Sequence, residues 1–292
     1  LLPRAGRERI EALLPDLADM LPSVAALARR HPDALLDALE ARLAAGAPAV
    51  RDEAWAWAAP ALCVLAQVRS ERLLALLVEC GPTTVIPPAL TPRLGLLMER
   101  DPRTVTELLR ACPWSVGLRP SWGTSPRFTR GLRRRVAGLT DEQVRALATS
   151  WADPDNEHLL TALLEALPPG RRAAALSTVL AGVRTGTRVW SVPMLEVMPT
   201  PLRQAETERM AALPDAQEPL RQLELAAYMS PQRARELAEP RLHALDAEER
   251  GAAWAALIGS AARARDAERL REVLGRLAGL SNEQGPVRAA VA

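Results

Sequence analysis

Arg30-His31-Pro32-Asp33-Ala34-Leu35-Leu36-Asp37-Ala38-Leu39 decides the fold, because a phrase of the same kind restarts twice further along the chain. Arg69-Ser70-Glu71 opens a run with Leu74, Leu77 and Val78, and Arg100-Asp101-Pro102 opens one with Val105, Leu108 and Leu109. The openings lie 39 and 31 residues apart, a spacing expected of stacked helical repeats. One helix pair cannot bury its own apolar stripe, so each must lean on its neighbours.

Composition agrees. Apolar residues make up 48% of the 292 residues, and aromatic residues only 3%, with Phe128 and Tyr228 the single examples of their kinds. Leu and Ala must therefore fill the core, which favours closely approached helices over a β-rich fold. All 37 basic residues are arginine, a bias that a GC-rich gene explains and that also suits forked anion contacts. Against 35 acidic residues the net charge is +2, so no whole-molecule field draws the chain to nucleic acid. Cys63, Cys80 and Cys112 have neither metal-site nor disulfide-framework spacing, which fits a reducing cytoplasm. The apolar stretch from Ala54 to Val68 is too short for a membrane span and contains Pro60 and Gln67.

Helix boundaries are signposted. Thr140 with Gln143, Asp246 with Glu249, and Ser281 with Gln284 have capping-box spacing. Pro32, Pro102, Pro154 and Pro231 suit first helical turns, which need no amide hydrogen. Gly46 and Gly81 are expected to end helices in the left-handed conformation. Repeats of about 40 residues predict a dozen or more short helices and no strand. The chain starts at Leu1 without an initiator Met and stops at Ala292, two turns into a new helix, so it reads as a piece of a longer array.

A second regularity places an arginine three residues before a small apolar one: Arg51 with Ala54, Arg145 with Ala148, Arg250 with Ala253, Arg288 with Val291. Asp141 and Asp246 stand four residues before their arginines, placed to engage them from the first helical turn. On Asp246, Arg250, Ala253 and Leu257, with Glu249 where the pattern has Val, the chain resembles HEAT-type α-helical repeats. The resemblance implies an all-α fold, an α-solenoid of stacked antiparallel helix pairs with a right-handed superhelical sense, and macromolecular recognition. The expected organisation is repeats over 1–111, an irregular loop over 112–131, and repeats of the same solenoid over 132–292.

No catalytic or nucleotide-binding motif occurs in the sequence, and no cofactor or catalytic residue is nominated. His31, His158 and His243 are far apart and read as surface or cap residues. Asp153, Asp155, Asn156 and Glu157 read as an acidic first turn, since His158 and Leu164 occupy positions where a calcium loop needs Gly and Glu. Trp55, Trp57, Trp151, Trp190 and Trp254 stand among small residues and read as core plugs.

The segment from Cys112 to Arg135 breaks the helical rhythm and carries no acidic residue. Trp114, Arg119, Trp122, Arg127, Arg130, Arg133, Arg134 and Arg135 form the candidate binding surface. If helical, Arg133 to Arg135 spread over about 200°, so they cannot all pack inward. Either the rings tuck the segment onto the repeats while the arginines pair with carboxylates, or indoles and guanidiniums meet bases and phosphates. The leading expectation is a non-enzymatic scaffold whose partner is another protein. A nucleic-acid-binding solenoid comes second, and a HEAT-like enzyme acting on DNA third.

Overall fold

The computed structural model describes residues 6–17, 20, 24–44, 47–81, 86–111, 128–183, 186–277, 285, 287 and 289. Among the described residues there are seventeen α-helices and no strand. The chain falls into two compact units, Leu1–Val179 and Leu180–Ala292.

The first unit contains α1 (Arg7–Leu17), α2 (Ala25–Arg30), α3 (Pro32–Ala44), α4 (Pro48–Val68), α5 (Ser70–Cys80) and α6 (Leu94–Arg100). It continues with α7 (Pro102–Ala111), α8 (Arg130–Ala137), α9 (Asp141–Ser150), α10 (Glu157–Ala166) and most of α11 (Pro169–Val183). Three of its junctions are one-residue corners, at the three repeated openings. His31, Arg69 and Asp101 leave the helical region in nearly the same way, with φ −134°, −142° and −142° and ψ 56°, 47° and 89°. Each corner N–H closes the helix behind it on Leu27, Leu65 or Leu97 (2.7, 2.8 and 2.9 Å). Each corner C=O accepts the first bond of the next helix, from Leu35, Leu73 or Val105 (3.1, 3.0 and 3.2 Å). One residue thus serves two helix ends, which leaves few orphan backbone groups at the turn.

Packing follows the alternation these corners set. Helix α2 packs on α4, α6 on α8 and α8 on α10, while α3 packs on α5, α5 on α7 and α7 on α9. Leu35, Leu36, Leu39, Leu73, Leu77, Val105 and Leu109 are all buried in this interior. Trp55 and Trp151 are buried too, and their indole N–H groups donate to Cys80 O (3.0 Å) and Leu109 O (3.2 Å), joining α4 to the end of α5 and the end of α9 to that of α7.

The second unit contains the end of α11, α12 (Val192–Val197), α13 (Thr200–Ala211), α14 (Pro219–Ala226), α15 (Pro231–Ala238), α16 (Ala247–Ala264) and α17 (Ala267–Leu277). Helix α14 packs on both α15 and α16, and α16 also on α15 and α17. Leu223, Ala226, Ala234, Ala253, Trp254 and Leu257 belong to its core cluster, where alanines allow close approach. Ala253 and Leu257 of the repeat-like motif therefore face inward.

Several sequence expectations change in detail. Gly81 ends α5 with φ −59°, not in the left-handed region. A Cβ there would lie 2.1 Å from Leu77 O, so close approach demands the glycine. Among the described non-glycine residues, Arg265 alone has positive φ, at 55°. The Thr140–Gln143 capping box forms, but Asp246 accepts from Glu248 N–H (2.9 Å) and Glu249 pairs with Arg241 (3.1 Å). The carboxylate of Asp141 is taken by Arg171 (2.7 Å), while Arg145 reaches only the Asp141 carbonyl (3.2 Å). Gly46 and the Ser281–Gln284 pair lie outside the described residues. No described helix is long and apolar enough to cross a membrane.

Candidate interaction surface

Helix α8 carries four of the arginines the sequence singles out. Thr129 caps it by accepting from Leu132 N–H (3.4 Å), and Leu132 and Val136 turn into the core. With those two residues inward, Arg130, Arg133, Arg134 and Arg135 are all exposed. At 100° per residue, Arg130, Arg133 and Arg134 fall within about 100° of each other, and Arg135 points about 100° beyond Arg134.

The two flanks of α8 are engaged. Toward α6, a Cβ on Gly95 would come within 2.5 Å of the Gly131 carbonyl carbon, so the two backbones touch. Arg135 closes that side with an ion pair to Glu99 (2.6 Å). Toward α10, Arg133 donates to the Glu165 carbonyl (3.2 Å). Arg172, whose Nε donates to Leu167 O (3.1 Å), stands close enough to Arg133 and Glu165 to feel both charges. Burial pushes the Arg172 pKa below its usual value; Glu165 opposes that shift and Arg133 adds to it. For Arg130 and Arg134 no partner exists among the described residues.

Trp114, Arg119, Trp122 and Arg127 lie outside the described residues. Phe128, at the end of that segment, is buried with its ring 6.2 Å from that of Trp151, which ties the entrance of α8 to the end of α9. Of the other tryptophans, Trp190 and Trp254 are buried, and Trp57 is half-buried under Arg42 at 4.4 Å.

A second feature is a cleft of about 420 Å³ between the first halves of α7 and α9, lined by Arg103, Thr106, Glu107, Thr140, Glu142 and Gln143, among others. The other ends of these helices are pinned by Trp151 and by Ser150, whose hydroxyl donates to Arg110 O (3.0 Å). Its charged groups, Arg103, Glu107 and Glu142, are exposed. Asp153 caps its own turn by accepting from Asp155 N–H (2.9 Å), and burial lowers the pKa of half-buried His158. Among the described residues no group of three or more His, Cys, Asp or Glu side chains has metal-binding geometry.

Two polar networks went unread in the sequence. Arg171 at the start of α11 donates to Ala137 O (2.8 Å), Leu139 O (2.6 Å) and Asp141, clamping the α8–α9 turn. In the second unit, Arg263 binds Glu196 (2.6 Å) and lies 4.1 Å over the Tyr228 ring, while Tyr228 donates to Glu196 (3.2 Å). Burial pushes the Glu196 pKa up, but the bonds and charge of Arg263 outweigh it and hold the group below the usual carboxylate value. Burial, with help from Glu196, raises that of Tyr228. These partners are far apart in sequence, and no local spacing announces them.

Compared with protein-family models, curated proteins and solved structures, the chain matches none.

Proposed function

We propose that this chain is a non-enzymatic scaffold of HEAT-like repeats, an α-solenoid of stacked antiparallel helix pairs with a right-handed superhelical sense, that binds another protein. The observation carrying this reading is the alternate packing in the first unit, α3 on α5 on α7 on α9 beside α6 on α8 on α10. Such stacking uses each helix's apolar side internally and leaves rows of outward helix faces, the usual recognition surface of repeat proteins. The binding groups on those faces are side chains on rigid helices, with no enclosed pocket needed.

Nucleic acid is the competing partner. It is disfavoured by the balanced charge and, on α8, by the engagement of Arg133 and Arg135, which leaves Arg130 and Arg134 as the arginines of that helix without a partner among the described residues. The test is affinity capture on the immobilised full chain from a nuclease-treated extract of the source cells, with retained protein quantified. Near-equimolar retention of one protein is expected. Retention of nucleic acid alone in an untreated extract, with no protein in the treated one, would overturn the reading.

A further inference from the structure

We propose that the outward ridge of α8, formed by Arg130 and Arg134 with Arg133 and Arg172 beside them, is a docking surface for a short acidic segment of a partner protein. The inference rests on the scaffold reading and names the chemistry of the partner.

Three observations carry it. First, Arg130 and Arg134 are exposed and have no partner among the described residues. Helix α8 has no acidic residue in its first turn, where Arg130 meets the positive end of the helix dipole; Arg134 stands in the last turn, where the dipole favours it, but is a like charge four residues from Arg130. A bound anion would relieve both the charge at the first turn and that repulsion.

Second, the flanks are closed. The Gly95–Gly131 contact and the Arg135–Glu99 pair fix α8 against α6, and Arg133 fixes it to the end of α10. The backbone of α8 is therefore held rigid, so that only the arginine side chains remain to be ordered on binding.

Third, the unpartnered charge is short: on α8 it is one pair, Arg130 and Arg134, since Arg135 is neutralised by Glu99 and the net charge of the chain is only +2. A long polyanion gains little from so small a patch, whereas a short acidic segment is matched to it. Arg130 and Arg134, about 6 Å apart at Cβ, match carboxylates on alternate residues of an extended peptide, about 6.7 Å apart.

The test uses the full chain and a fluorescein-labelled Gly-Glu-Gly-Glu-Gly-Glu-Gly peptide, read by fluorescence anisotropy beside a 12-base-pair DNA duplex at the same salt. Peptide binding that weakens as salt rises is expected. The R130Q/R134Q variant is expected to bind at least about tenfold more weakly, while melting close to the unsubstituted chain because both side chains are exposed and neither has a partner among the described residues to lose. Unchanged affinity in that variant, or tighter binding of the duplex than of the peptide, would overturn the proposal. Its failure is distinct from that of the scaffold reading. A captured protein that stays bound to R130Q/R134Q sinks this surface and leaves the scaffold standing. Arginine-dependent peptide binding without any captured protein does the reverse.

Discussion

Arg171 and Arg203 show opposite uses of the same side chain. Arg171 reaches Asp141 Oδ1 through both Nε and Nη2 (2.9 and 2.7 Å) and spends its other donors on the carbonyls of Ala137 and Leu139. Only a forked, planar cation can meet three acceptors in those directions. Arg171→Lys is therefore expected to lower stability by about 1–2 kcal/mol, because an ammonium keeps the charge and loses the fork; urea denaturation measures it. Arg203 on α13 is buried at 6% exposure, yet has only long bonds to Thr200 (3.3 Å) and the Arg263 carbonyl (3.5 Å). Its Nε has no partner among the described residues, and burial, aided by the like charge of Arg263, pushes its pKa down against the opposing charge of Glu196. A buried charge so weakly matched costs more in desolvation than it recovers, so Arg203→Met is expected to raise stability by about 1 kcal/mol. A loss of that size in the same urea experiment would show the guanidinium to be needed where it stands.

At the level of the element, the one-residue corners are where sequence and structure agree most closely. Asp101 adds to its corner a side-chain cap, accepting from Thr104 N–H (3.0 Å) and from the Thr104 hydroxyl (2.5 Å). These bonds hold its pKa below the ordinary carboxylate value. A group whose pKa is lower folded than unfolded stabilises above its unfolded pKa and loses that contribution as pH falls through the folded one. Asp101→Asn keeps an acceptor for the cap and removes the titration. The stability advantage of the unsubstituted chain over Asp101→Asn should accordingly be constant near neutrality and shrink below about pH 4; urea midpoints of both proteins across pH 2.5–7 would show it, and a pH-independent difference would refute it. Such corners were legible because their signals are local: an arginine at or just before the corner, proline at the first turn after His31 and Asp101 or Ser70 after Arg69, and apolar residues at helical spacing following. The Thr140 box was legible for the same reason. Gly131 against Gly95, Arg171 against Asp141 and Arg263 against Glu196 were not, since each joins elements that only folding brings together. The arginines of α8 were legible as exposed, but their division into paired and unpaired members depends on Glu99 and Glu165, far away in sequence.

Across the whole chain, the principal helix contacts within each unit reach no further than two helices along the sequence. Local contacts of this kind make stability a sum of neighbouring terms, so damage at one interface should spread only a short way. Gly95→Ala offers the test in the first unit. Its Cβ would meet the Gly131 carbonyl carbon at 2.5 Å and Leu132 N at 2.7 Å, backbone atoms that cannot swing aside, so α6 and α8 must separate. Overpacking of this sort costs about 1–3 kcal/mol, which corresponds to roughly five- to 150-fold more frequent local opening. Hydrogen exchange of the variant should therefore accelerate in α6 and α8, less in the adjoining α7 and α10, and hardly at all in α2 and α3. Uniform acceleration from α1 to α10 would instead mean that the unit opens all at once, and the neighbour-by-neighbour stack on which the scaffold reading stands would have to be given up.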